Sequence, residues 1–216
     1  MRFLYVVTHP EATHHVERVV GGWHDSTLTS AGKNAAAAIA RTLRAEIPIG
    51  TSVELVSSDL LRTSQTADEI AALFGLETIL EPRLREKSYG EAEGRPQQWQ
   101  KQRFIPPPAL CDRMNHHEGI QGAETRGECA RRVYAAMEEI LGRDCEHQII
   151  VTHGGALTFV VAAWIEMPFE SLGSVRFCGS PGSITRLRQD DFYRNREVVH
   201  LADTRHLDAA NSTIGL

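Results

Sequence analysis

The sequence predicts an α/β fold with a mostly parallel sheet. Two observations carry that reading. Short unbroken apolar runs such as "RFLYVV" and "HQIIVT" recur, and between them lie longer segments with apolar residues at helical spacing. Strands that alternate with helices build parallel sheets covered on both faces, and such strands lose the polar alternation of a half-exposed sheet. "RFLYVV" is the first strand. "TSAGKNAAAAIARTLRAEI" is alanine-rich with helical periodicity. "VELVSS" is a short strand. "SDLLRTSQTADEIAALFGL" is the next helix, with Ser58 or Asp59 as its N-cap and Gly75 as its C-cap. "ETIL" is a third short strand. "TRGECARRVYAAMEEIL" is a helix whose Thr125 and Glu128 have capping-box spacing. The strand "HQIIVT" then runs into "THGGALTFVVAAWI", a glycine turn that opens a helix. Finally, "SITRLRQ" and "REVVHLAD" flank "DDFYRN" and read as an antiparallel hairpin closing the sheet edge.

Residues 95–121 break this rhythm. They hold three consecutive prolines and no clear period. A long irregular insert in a compact domain is commonly a lid or binding loop. With no internal repeat or linker, the expectation is one domain over 1–216 carrying that insert.

Composition narrows the function classes. Apolar content is 42% and charged content 24%, ordinary for a globular protein. A formal net charge of -5 argues against a general nucleic-acid binder but leaves room for a small basic pocket. The longest apolar runs, such as "FVVAAWI", are too short to span a bilayer, so no membrane partner is expected. The start "MRFLYVV" lacks a signal-peptide core and cleavage site. Cys111, Cys129, Cys145 and Cys178 form no CxxC pair, and they read as reduced thiols of a cytoplasmic protein.

The candidate chemistry sits where strands end. His9 follows "FLYVVT" and His153 follows "IIVT". Ligands of parallel α/β sheets bind outside the carboxyl ends of the strands, so neighbouring strands would bring the two imidazoles to one pocket. Either histidine alone is most simply a loop residue; two in one context favour a site. The "HGG" turn also offers helix N–H groups, Gly154 among them, to an anion. Arg62 lies one turn into the helix after the second strand, and its planar fork suits phosphate oxygens. Its bland reading is a solvated helix arginine. Glu86 lies in a glycine-bearing loop after the third strand and could serve as general acid, or be an ordinary surface carboxylate. Two histidines, an arginine and a carboxylic acid suit phosphoryl transfer through a covalent intermediate, with no metal or cofactor required.

Six segments in order resemble the histidine phosphatase superfamily, also called phosphoglycerate mutase-like: "VVTHPEAT", "GGWHDSTLTSAG", "SSDLLRTSQTA", "LREKSYGEAEG", "GAETRGECARRV" and "VTHGG". The resemblance spans nearly the whole chain. It implies a three-layer fold with a six-stranded sheet, five strands parallel and the last antiparallel. It also implies that His9 is the phosphorylated nucleophile, that Arg62 and His153 hold the phosphoryl group, and that Glu86 donates a proton. The chain departs from the family signature at two places. Arginine precedes and glycine follows the family's nucleophile; here they are Thr8 and Pro10. Losing one charge-assisted contact to phosphate costs about 1.5–3 kcal/mol unless it is replaced. His15 stands where family members commonly have a phosphate-binding asparagine, with His14 and Arg18 close by. These are candidate replacements, or else solvated loop residues.

The expected activity is therefore a metal-independent phosphomonoesterase acting on a small phosphorylated metabolite. In the insert, Trp99, Arg103, Phe104, Arg113, His116 and His117 are candidates to read the leaving group. Three alternatives stand beside it. One is a silent relative that only binds a phosphorylated ligand. Another is a mutase-type phosphotransferase. The third is a metal hydrolase using His9, His14, His15, His116 and His117, although no metal-ligand motif supports it. The oligomeric state is open between monomer and homodimer.

Overall fold

The computed structural model describes residues 1–109 and 112–212. Its sheet has six strands: β1 (Arg2–Thr8), β2 (Val53–Ser57), β3 (Thr78–Leu80), β4 (His147–Thr152), β5 (Ile184–Gln189) and β6 (Arg196–Asp203), in the order β3-β2-β4-β1-β5-β6. The helices are α1 (Thr13–Glu17), α2 (Ser30–Glu46), α3 (Leu61–Phe74), α4 (Gln97–Lys101), α5 (Arg126–Gly142), α6 (Leu157–Trp164) and α7 (Arg205–Ser212).

Alternation along β1 explains the layers. Leu4 and Val6 face a core built with Val133, Met137 and Ile140 of α5 and Val160, Val161 and Trp164 of α6. Tyr5 and Val7 face the opposite core, with Ile39 and Leu43 of α2 and Ala67 and Ile70 of α3. Period-2 side chains with apolar residues on both faces can be buried only between two helical layers. Five strands share one direction, as expected, but the strand that opposes them is β5 rather than the last. β5 pairs antiparallel with both β1 and β6, so the hairpin turns β6 back into line with the other four.

Three local expectations need correction. Neither Ser58 nor Asp59 caps α3; the N-cap is Leu60, and the Asp25 carboxylate accepts the Leu61 N–H at 2.7 Å. Both expected caps are engaged elsewhere, Ser58 with His153 and Asp59 with Arg85. Helix α7 was not foreseen from the sequence. It packs beside Gly182, whose carbonyl lies 3.0 Å from His206 Nε2. The helix after "HGG" begins only at Leu157. In contrast, Gly75 ends α3 in the left-handed region at φ 68°, and Thr125 with Glu128 forms the foreseen capping box. Cys129, Cys145 and Cys178 are free thiols, and Cys111 lies outside the described residues. Among the described residues, no helix is long and apolar enough to cross a membrane.

Gly32 shows why the α2 entry needs a glycine. A Cβ there would collide with the backbone carbonyl of Glu11, in the loop that carries His9. Backbone yields less readily than a flexible side chain, so the clash must shift the loop or the helix. Gly32→Ala is expected to cost about 1–3 kcal/mol, the range of overpacked sites. Thermal melts and phosphatase assays on the variant check this, and an unchanged melting temperature would contradict the close approach.

Candidate active site

The central pair of strands builds the site. β1 and β4 are parallel neighbours in register, Thr8 opposite Thr152. The next residue on each chain is a histidine, and the rings of His9 and His153 lie 5.2 Å apart, edge to face. Arg62, in the first turn of α3 after β2, reaches the same place. Its Nε donates to His9 Nε2 at 3.3 Å. The guanidinium is buried and anchored by two backbone carbonyls, Nη1 to His24 at 2.8 Å and Nη2 to Gly22 at 2.6 Å. Of its five N–H groups these bonds engage three, which leaves two for an incoming anion.

His9 is held in one tautomer. Its Nδ1 lies 2.8 Å from the Pro10 carbonyl, which only accepts, so Nδ1 carries the proton and Nε2 presents a lone pair. The change from the family's glycine to Pro10 therefore keeps the group that orients the ring. His153 is fully buried. Its Nε2 meets the Ser58 hydroxyl at 2.9 Å, and its Nδ1 has no partner. A buried, unpaired ring nitrogen is costly.

Glu86 is half-buried, and its carboxylate accepts two backbone N–H groups, Lys87 at 2.9 Å and Gly155 at 2.8 Å. A Cβ at Gly155 would run into that carboxylate, so the second glycine of "HGG" makes room for the acid. The expected anion site on the "HGG" N–H groups is thus partly taken by Glu86 itself. Sequence reasoning missed the residues that hold this loop. Trp23 Nε1 and Arg132 Nη2 both donate to the Glu86 carbonyl at 2.7 Å. Arg132 Nη1 adds the carbonyls of Arg83 and Arg85 at 2.8 and 2.6 Å, while Glu124 neutralises the guanidinium. Trp23 and Glu124 lie within segments that carry the family resemblance, which was the available signal.

Thr8 does not face outward as a replacement donor. Its hydroxyl donates to the Ser180 carbonyl at 2.6 Å and accepts the Ser183 N–H at 3.1 Å, tying β1 to the loop before β5. His14 is buried, its Nδ1 2.7 Å from the Ser26 hydroxyl. His15 lies over His9 at 5.6 Å, nearly parallel, and its Nδ1 accepts the Ala12 N–H at 3.1 Å. The proton of a neutral His15 must then sit on Nε2, which makes that nitrogen a donor.

These groups border a cavity of about 360 Å³ whose wall includes Thr8, His9, His14, His15, Arg62, Glu86 and Gly154. His153, fully buried beside the His9 ring, is not part of that wall, and neither are Arg18 and Arg103. Arg18 is the left-handed residue ending α1 and its side chain is exposed; Arg103 stacks on Trp99 at 4.1 Å, also exposed. Arg113 and His116 line a second, adjoining cavity instead. From the insert, Gln97, Gln100 and Lys101 reach the first cavity, and sequence reasoning had not singled them out.

Burial and one cation set the electrostatics. Burial first, then the Arg62 charge, holds His9 and His153 well below the usual imidazole range. Burial, then His15 and Arg62, pushes His14 down to about 3. Burial and Arg62 also lower His15. Arg62 itself is lowered by burial to about 10, which leaves it charged at neutral pH. The ligand atoms of His9, His14 and His15 lie within 4.8 Å of one another, a spacing a metal ion could bridge. Their surroundings suit it poorly. The His9 lone pair faces a guanidinium, and the free nitrogen of His15 carries a proton.

Comparisons with known proteins place the family and the fold. Residues 4–204 match the model of the histidine phosphatase superfamily (branch 1). The chain belongs to that superfamily. A probable phosphoglycerate mutase GpmB of Yersinia enterocolitica is 30% identical over 95% of this chain and 94% of its own. Among solved structures, YhfR of Bacillus stearothermophilus superimposes with a TM-score of 0.76 at 25% identity, covering 96% of this chain and all of that one. A mycobacterial glucosyl-3-phosphoglycerate phosphatase gives 0.75 at 23%, over 94% and 100%, and shares the fold. The α-ribazole phosphatase of Shigella flexneri gives 0.76 at 21%, over 93% and 96%, again a likeness of fold.

The lowered imidazoles fix a pH dependence. Histidines in an unfolded chain ionise near 6.5. Below that value the unfolded chain takes up protons that the folded site refuses, so stability falls as pH falls. The loss begins near 6.5 and for His14 continues toward about 3. Melting temperature should drop steadily from pH 6.5 to 5, and the ring C–H resonances of His9, His14 and His153 should keep their neutral shifts at pH 5.5. Ordinary imidazole titration near 6.5 at these three rings would contradict the burial argument.

Proposed function

We propose that the protein is a metal-independent phosphomonoesterase that works through a phosphohistidine on His9. The observation that carries this reading is the paired state of His9: a proton fixed on Nδ1 by the Pro10 carbonyl and a lone pair on Nε2 beside the Arg62 guanidinium. The lone pair attacks phosphorus while the ester P–O bond breaks. Glu86 gives its proton to the departing oxygen. Water then attacks the phosphohistidine, Glu86 takes a proton from it, and inorganic phosphate leaves with Nε2 restored. Arg62 holds equatorial oxygens through its uncommitted N–H groups, while His153 stays enclosed beside the His9 ring.

Rapid quench into alkaline detergent after mixing with a labelled phosphomonoester should recover a base-stable, acid-labile label on the wild-type protein and none on His9→Ala. Glu86→Gln should slow alkyl phosphates much more than p-nitrophenyl phosphate, because a good leaving group departs without a proton. Full activity in His9→Ala sinks the nucleophile assignment; equal losses on both substrates sink the acid assignment. The mutase name of the 30% relative supports a second reading, in which the phosphoryl group passes to an alcohol. Partition of the trapped phosphoenzyme between water and added 3-phosphoglycerate separates the two.

The place of the family's first arginine falls to His15 in this reading. Thr8 is committed to the Ser180–Ser183 loop, while His15 turns an N–H to the cavity. His15→Ala is expected to lower kcat/KM about tenfold, equivalent to about 1.4 kcal/mol. Thr8→Arg is expected not to raise activity, since it breaks the loop tie and adds a cation beside Arg62. Steady-state kinetics with melts as a folding control decide this. A faster Thr8→Arg together with an unaffected His15→Ala would refute the takeover.

A further inference from the structure

Both departures from the family signature, Thr8 and Pro10, meet the segment 179–183 before β5. Thr8 ties into it through Ser180 and Ser183. Pro10 lies against Gly182: a Cβ on that glycine would stand 3.7 Å from Pro10 Cβ and 3.2 Å from Leu207 Cδ1 of α7. Gly182 is left-handed at φ 77°, and its N–H is shared between the carbonyls of Thr8 and His9, each at 3.1 Å. Gly179 and Pro181 of the same segment border the cavity at His9.

Helix α7 holds this segment from the other side. His206 Nε2 lies 3.0 Å from the Gly182 carbonyl, which only accepts, so Nε2 carries the proton. The other ring nitrogen, Nδ1, is buried and has no partner among the described residues. Burial, partly opposed by the Gly182 bond, holds the ring below the usual imidazole range, so it is uncharged at neutral pH. A residue that served only to pack could be a leucine and avoid the unpaired nitrogen; the histidine adds one N–H on Gly182. The start of α7 is itself anchored, because Asp203 of β6 accepts the Arg205 N–H at 3.1 Å and pairs with Arg186 of β5 at 3.0 Å.

These contacts form a chain to His9. Its N–H donates to the Thr152 carbonyl at 3.1 Å, its carbonyl accepts the Gly182 N–H, and the Pro10 carbonyl fixes its ring. The second contact depends on Gly182 directly, and the third depends on it through Pro10. We propose that His206 is a positioning residue for His9: by holding the Gly182 carbonyl it fixes the segment that sets the His9 backbone and Pro10, and with them the direction of the Nε2 lone pair. His206 itself touches none of the reacting atoms. The inference rests on the phosphatase reading for the role of His9 as nucleophile. A lone pair that swings off line slows attack, while Arg62 still binds phosphate, so the loss falls on kcat rather than KM.

Two substitutions test this. His206 is half-buried, and His206→Leu fills its space without the N–H, whereas His206→Gln returns an N–H to the carbonyl. At a temperature well below both melts, kcat should be about tenfold lower in His206→Leu with KM within about twofold, and most of kcat should return in His206→Gln. Heteronuclear NMR of the His9 ring should show the single Nδ1–H tautomer in wild type and His206→Gln, and a mixture in His206→Leu. A helix that merely packs would lower the melting temperature and move neither reading. If the leucine variant does not fold, His206→Ala with and without added imidazole makes the same comparison. Unchanged kcat without the donor, equal losses with and without a restored donor, or a His9 ring signal identical across the variants each overturn the proposal. A wild-type protein that releases no phosphate from any ester sinks the phosphatase reading. The His9 tautomer then decides the positioning alone: a mixture in His206→Leu supports it and a single tautomer overturns it.

Discussion

The site is organised around a buried cation that, among the described residues, makes no direct ion pair, although Glu86, Asp25 and Glu93 favour its charge from farther off. Arg62 is almost fully enclosed, and its fixed partners are the carbonyls of Gly22 and His24 and the ring nitrogen of His9. Carbonyl dipoles satisfy the N–H groups without cancelling the charge. The cation therefore acts on everything near it. It helps keep four imidazoles uncharged, and it leaves the cavity with an unmet demand for negative charge. In the proposed reaction a phosphate monoester supplies that charge. Replacing Arg62 by a neutral residue would remove the demand and strand the two carbonyls together.

The rest of the fold serves to hold this arrangement rigid. β1 and β4 deliver the two histidines in register, and the turn after β2 delivers the arginine. The 22–24 loop, which clamps Arg62 through its backbone, also sends Trp23 to the Glu86 carbonyl. The His9–Arg62 pair and the Glu86 loop are thus tied through one short segment. Arg132 completes the tie from the opposite helical layer by collecting three carbonyls of the acid loop. A rigid acid loop matters because a proton donor contributes only when it stands within hydrogen-bond reach of the leaving oxygen.

How much of this was legible in the sequence follows from the range of each interaction. Strand ends and helix starts are local, so His9, Arg62, Glu86 and His153 could be placed near the sheet's carboxyl edge from apolar runs and turns alone. Thr125 with Glu128 was legible for the same reason. The α3 cap was not, because Ser58 and Asp59 were each claimed by partners 95 and 26 residues away. Likewise Arg18 and Arg103 are near the site in sequence, yet a left-handed helix end and a stack on Trp99 place them outside its wall. The role of Thr8 was the least visible. Nothing near residue 8 announces Ser180 and Ser183, which reach it only because β5 pairs with β1. That pairing also set which strand runs against the others. The hairpin was legible, but the identity of its β1-facing strand depends on long-range contacts.

The exchange of a signature arginine for a histidine-rich turn has a definite physical consequence. An arginine binds a phosphate dianion in the ground state and in the transition state with the same charge. A neutral imidazole N–H, such as the one His15 directs, supplies direction without that charge. Binding lost equally from both states raises KM and leaves kcat largely intact. The geometry needed only in the transition state, the His9 lone pair, the Arg62 donors and the Glu86 carboxyl, is retained. In the proposed reaction the grip on phosphate then falls mainly to the two N–H groups that Arg62 leaves uncommitted, because its other three are spent on the carbonyls of Gly22 and His24 and on the His9 ring.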